Sequence, residues 1–124
     1  KPRLSTAVDT KVTIVNWDPG VDTTMLRQSL GTALHGVIIH LSESNYIPEE
    51  LYQLFHQAQK QGVAVILYST TGPKRLKESE FILVDHMSLI ATLTKLMWVL
   101  GKTRDLKKVR KLLQTPAANE LLFS

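Results

Sequence analysis

A chain of 124 residues, 44% apolar and 21% charged, is one globular domain by length and composition. It has no cysteine, which rules out a disulfide framework and a thiolate nucleophile and fits a reducing, cytoplasmic setting. Its formal charge of +4 gathers late, in Lys102, Arg104, Lys107, Lys108, Arg110 and Lys111, without interleaved aromatics; it reads as a solvated helix face, with a nucleic-acid face as the less favoured alternative.

Residues 1–10, KPRLSTAVDT, are polar, lack a signal-peptide core and read as a flexible segment ahead of a domain over 11–124. The missing leading Met leads to the expectation of a fragment or a processed product. No apolar run nears the roughly 18 residues a bilayer span needs, so no membrane partner is expected. The first strand is predicted over 11–17, where Val12, Thr13, Ile14 and Val15 form a β-branched run suited to burial on both faces. Asp18-Pro19-Gly20 is turn chemistry. A helix follows over about 22–34, capped by Asp22, Thr23 or Thr24, with Met25, Leu26, Leu30 and Ala33 inward.

His35-Gly36 breaks that helix, and 37–41, VIIHL, is the second strand. A polar loop over 42–46 leads to Pro48, Glu49 and Glu50, which suit the first turn of a helix reaching about residue 61 and burying Leu51, Leu54, Phe55 and Ala58. Gly62 ends it. VAVILY over 63–68 is the third strand and FILV over 81–84 a short fourth. The organising stretch is 88–101, SLIATLTKLMWVLG: Ser88 caps a helix whose Leu89, Leu93, Leu96, Met97 and Leu100 share one face, and Gly101 stops it. Thr103 or Asp105 caps a last helix through 113. Apolar strands separated by amphipathic helices imply an α/β fold, a small doubly wound three-layer sandwich on a four-stranded, mainly parallel sheet.

In such sheets ligands bind beyond the carboxyl ends of the strands. Those ends are 16–20, 42–45, 69–71 and 85–86. Ser42, Glu43, Asn45, Ser69 and Thr70 are therefore the candidate ligand-binding residues. Lys74 and Arg75 near Ser69 could add charge for an anion, and Glu43 could pair with His40 or His86 as acid and base. Each has a plainer account as an ordinary turn or strand-end residue. Trp17, if exposed, would mark a contact surface, and Tyr46 is placed with it as an interface candidate. His35, His40, His56 and His86 share no ligand spacing, so no metal is expected. No G-x-G-x-x-G or Walker pattern is present, and no cofactor is expected.

The run TKLMWVLGKTRDLKKVRKLL over 94–113 resembles the C-terminal end of type I, cytoplasmic-type L-asparaginases and of the asparaginase-like subunit of archaeal Glu-tRNA(Gln) amidotransferase. Their pattern there is an Asp-Met-Thr turn, a helix ending TKLMW-x-LG and a short further helix. GVIIHLSESNYIPEELYQLFHQAQKQGVAVILYST over 36–70 is similar to their strand, glycine-rich loop, helix and strand, and Pro19-Gly20 falls where they carry Pro-Gly. The likeness runs over about 11–122. It implies a parent of two domains, with the catalytic threonines and their supporting Asp and Lys on an N-terminal domain that this chain lacks. The C-terminal domain of that family packs on the other and builds the dimer.

The chain departs from the pattern where loops meet ligands. Residues 41–46 read LSESNY, without the family's glycines, so a loop that lets backbone approach a ligand closely is not kept. Asp-Met-Thr-x-Glu becomes His86-Met87-Ser88-Leu89-Ile90, losing two carboxylates. The resemblance thus implies a degenerate, non-catalytic module with no catalytic residues of its own. Its expected partner is an N-terminal asparaginase-like domain or another protein, with a homodimer as a further possibility. The alternative is the C-terminal part of an asparagine- or glutamine-hydrolysing enzyme whose threonines lie elsewhere.

Overall fold

The computed structural model describes residues 8–17, 28, 33–41, 49–69, 81–84 and 87–114. Four strands form among them: β1 (Val12–Trp17), β2 (Gly36–Leu41), β3 (Ala64–Tyr68) and β4 (Ile82–Val84). The helices are α1 (Glu49–Lys60), α2 (Leu89–Leu100) and α3 (Leu106–Gln114). The helix expected over 22–34 lies largely outside the described residues; at its far end Ala33 sits exposed in a bend instead of inward on a helix.

All three strand pairings are parallel, in the spatial order β1-β2-β3-β4. The two central strands carry the near-continuous apolar runs. Val37, Ile38, Ile39, Ala64, Val65, Ile66 and Leu67 are all buried, as strands covered on both faces require. Alternation then sorts them into two cores. Val37, Ile39, Leu41, Val65 and Leu67 meet Leu51, Tyr52, Phe55 and Ala58 of α1, with Phe81 stacked on Tyr52 at 5.7 Å and edge-on to Phe55. Ile38, Ala64, Ile66, Ile82 and Val84 meet Leu96, Val99 and Leu100 of α2 and Val109 and Leu113 of α3. Each fully buried Leu, Ile or Phe contributes about 1.5–3 kcal/mol.

The result is the expected three-layer α/β sandwich with helices on both faces. The strand order never reverses; the second layer arises because the chain after β4 turns back, α2 lying over β1 and β2 and α3 over β4. A switch-point crevice, the usual ligand site of open α/β sheets, has no counterpart among these four strands.

The α2 helix is capped as expected, the Ser88 hydroxyl accepting from the Ala91 N–H at 3.0 Å. Its buried face, however, is rotated from the one the leucine spacing suggests. Thr92, Lys95, Leu96 and Val99 are buried, while Leu89, Leu93 and Met97 are only half-buried. A helix apolar on nearly every side leaves its orientation open to periodicity alone. Lys95, 1% exposed, fits inside because its Nζ donates to the Leu113 carbonyl at 3.5 Å, at the negative end of α3.

Gly36 makes this packing possible: a Cβ there would lie 2.9 Å from Leu100 Cδ1 and 3.2 Å from Leu96 Cδ2. Gly62, at φ +91°, ends α1 in the left-handed conformation that glycine adopts without strain.

Candidate functional site

Parallel register places Asn16, His40, Tyr68 and Val84 in one lateral row at the carboxyl ends of the strands. Period-two alternation turns Asn16, His40 and Tyr68 to the α2 side of the sheet. His40 Nδ1 lies 2.9 Å from the Asn16 Oδ1. An amide oxygen only accepts, so Nδ1 is the donor in this pair. The His40 and Tyr68 rings are 5.5 Å apart and tilted. The Tyr68 hydroxyl donates to the Met87 carbonyl at 2.8 Å, joining β3 to the start of α2, and burial raises its pKa above the usual tyrosine value.

Of the residues expected to bind a ligand, Ser69 follows this row directly. It is fully buried, and its N–H donates to the Val84 carbonyl at 3.2 Å, continuing the β3–β4 ladder. Ser42, Glu43, Asn45, Tyr46 and Thr70 lie outside the described residues, as do Lys74, Arg75 and His86. Trp17 does not meet the condition that would make it a contact surface: it is 3% exposed and packs in the α1-side core with Leu41.

A second polar cluster gathers at the opposite, amino edge of the sheet. Asp9 Oδ1 accepts the Lys11 N–H at 2.9 Å, its Oδ2 lies 2.5 Å from His35 Nδ1, and its own N–H donates to the Met97 carbonyl at 2.9 Å. The His35 N–H donates to the Lys11 carbonyl at 2.7 Å. Burial pushes the Asp9 carboxyl up, but the Lys11 N–H, the His35 ring and the Arg104 charge together outweigh it and hold the pKa below 3.8. Arg104 also donates to the Gly62 carbonyl at 3.0 Å. This cluster bolts the chain ahead of β1 to the far end of α2.

Sequence reasoning missed both pairs, because Asp9 and His35 stand 26 residues apart and Asn16 and His40 24 apart. The available signal was register: aligning Val12 with Gly36 puts Asn16 opposite His40.

The described hydroxyls at Ser88, Thr92, Thr94, Thr103 and Tyr68 all serve backbone groups. Among the described residues, no group of three or more His, Cys, Asp or Glu is placed to hold a metal ion, and no helix is long and apolar enough to cross a membrane. A surface recess lined by Gln59, Ile82, Leu106, Lys107 and Arg110 includes none of the carboxyl-edge row.

Residues 11–113 match the family model of the glutaminase/asparaginase C-terminal domain. A glutamyl-tRNA(Gln) amidotransferase subunit of Sulfolobus acidocaldarius is 25% identical over 97% of this chain, which spans 29% of that protein. The L-asparaginase of Thermococcus kodakarensis is 29% identical over 100% of this chain and 42% of its own length. The chain therefore spans less than half of each of these relatives. The crystal structure of L-asparaginase I from Vibrio cholerae shares the fold, with a TM-score of 0.69 at 17% identity over 89% of this chain and 37% of that one.

Proposed function

Since this chain belongs to the glutaminase/asparaginase C-terminal domain family, we propose that it acts as the non-catalytic packing and interaction module of a larger asparaginase-like protein. The observation that carries this reading is where five of its described hydroxyls go. Acyl transfer by Ser or Thr needs a hydroxyl aimed at a base and an oxyanion hole beside it. Ser88 caps the start of α2, Thr103 accepts from the Asp105 N–H in the turn before α3, Thr92 and Thr94 bond back within α2, and Tyr68 ties β3 to Met87. The rewritten 41–46 loop, LSESNY, supports the same reading, since without glycine it does not offer close backbone approach to a small ligand. The expected partner is a domain on the amino-terminal side, with a second copy of the chain as a further one.

The alternative reading keeps the chain in a working amidohydrolase, its own part limited to packing and to Ser42, Glu43, Asn45, Ser69 and Thr70 near a site built by another domain. The names of the longer relatives favour it. Ammonia release from L-asparagine and L-glutamine separates the two. The test uses this chain alone and fused behind the amino-terminal part of the Thermococcus kodakarensis L-asparaginase. The interaction reading expects release from neither protein. Release from the fusion, lost on Thr70→Ala, would overturn it in favour of the alternative.

A further inference from the structure

The three helices meet the outside differently. The exposed positions of α1 are Glu49, Glu50, Gln53, Gln57 and Lys60, and those of α3 include Lys107, Lys108 and Lys111. The α2 helix has one charged residue, Lys95, and it is buried. Its outward line runs Ile90, Thr94, Met97; the half-buried Leu93 and Trp98 on either side also pack on the domain's own core, and the Lys102 ammonium sits 4.7 Å from the Trp98 ring centroid. Ile90 is 66% exposed. A helix that is apolar all round is normally covered on every side, and a contiguous apolar strip on a surface marks a contact.

What covers it follows from where the chain enters. The Asp9 N–H donates to Met97 on this same helix, and the Asp9 carboxylate is locked by Lys11 and His35. Val8, just upstream, is 50% exposed. The described chain thus starts beside one end of the α2 strip. The strip is also small. A helix of 12 residues is about 18 Å long and about 10 Å wide, so one face offers a few hundred Å² at most. That is well under the ~800 Å² per partner of a stable free complex, and suffices only for something held nearby by a covalent link.

We propose that the outward face of α2, Ile90, Leu93, Thr94, Met97 and Trp98, is the seat of the domain joined on the amino-terminal side, delivered there by the Asp9–Met97 tie. The proposal rests on the interaction reading and gives it a surface.

The test uses the full 124-residue chain and the same fusion behind the amino-terminal part of the Thermococcus kodakarensis L-asparaginase. Hydroxyl-radical labelling of Met97 and Trp98 reads exposure, and calorimetry reads whether the two domains melt together. Ile90→Asp with Met97→Lys is the disrupting variant; each new charge suits its end of the helix, so the isolated chain should fold unchanged. Gln57→Lys on α1 is the control. The expected result is labelling of Met97 in the fusion reduced about fivefold or more as docking excludes water, with one melting transition that splits in two for the α2 variant and not for the control. Joint melting with Met97 labelled as in the isolated chain would overturn the seat and leave the interaction reading standing. Protection of Met97 already present in the isolated chain, together with a dimer that the α2 variant dissociates, would overturn it in favour of a second copy. Two independent transitions without protection would overturn both the seat and the reading.

Discussion

The α1 and α2 helices are both 12 residues long and cover opposite faces of one sheet, yet only one is written for water. In α1, Leu51, Tyr52, Phe55 and Ala58 face the strands and Glu, Gln and Lys face out. In α2 the apolar character continues around the helix, and its one charge is turned inward to the end of α3. Inward faces are dictated by what they pack on, the sheet for both helices and the end of α3 for Lys95. Outward faces are dictated by what lies beyond the domain, and here the two differ. The difference therefore reports on the surroundings of the chain more than on its stability.

The largest expected effects test whether the inward faces are equivalent. Phe55→Ala on the α1 side should cost about 3–5 kcal/mol and Leu96→Ala on the α2 side about 2–5 kcal/mol, each within a single urea transition. A mild Phe55→Ala beside a severe Leu96→Ala would mean that α1 is peripheral and the comparison unsound. Gly36→Ala comes next. Its Cβ would press on Leu100 and Leu96 in the closed interior under α2, for a loss of about 1–3 kcal/mol in the same assay.

A smaller effect concerns the tie between the chain's start and α2. The Asp9 carboxyl has a lower pKa folded than unfolded, so on acidification the unfolded chain takes up the proton first and stability rises with pH in this range. Its contribution is complete above 3.8 and is lost as pH falls through the lower folded value. Asp9→Asn should flatten that acid slope in chemical unfolding followed against pH; an unchanged slope would show that the carboxylate is not held by Lys11, His35 and Arg104. The smallest effect is the most telling. Ile90→Asp with Met97→Lys should change the stability of the isolated chain by no more than about 0.5 kcal/mol, as surface substitutions do. A larger loss would mean that the outward strip of α2 already serves the domain's own core.

How much of this was legible in the sequence depended on what each signal encodes. The apolar runs Val37 to Ile39 and Val63 to Leu67 declared buried parallel strands, because only such strands need apolar residues in succession. The run Val12 to Val15 gave a parallel strand but not the burial on both faces expected of it, since β1 is an edge strand whose Val12 to Val15 are half-buried and whose Asn16 is exposed. The inward side of α1 was legible since its polar positions mark the opposite side, although Tyr52 is buried where Leu54 was expected and Leu54 is half-buried. The existence and caps of α2 were legible from Ser88 and Gly101, but not its rotation, because periodicity needs a polar face to measure against. Lys95 was misleading on that point, a charge carried inward by a carbonyl 18 residues away. The site was less legible still. Asn16 with His40 and Asp9 with His35 arise from register between strands, which no local pattern contains. Trp17 went to the core because it shares a face with Leu41 and Val15 over α1.

The most direct test of the central claim compares the two helices in one experiment. A soluble paramagnetic probe, read by NMR at the Ile90 methyl on α2 and the Gln57 side-chain amide on α1, would be applied to the isolated chain and to the fusion. The account predicts that both are broadened in the isolated chain and that in the fusion Ile90 alone is shielded. Ile90 equally broadened in both proteins, or Gln57 shielded in its place, would contradict it.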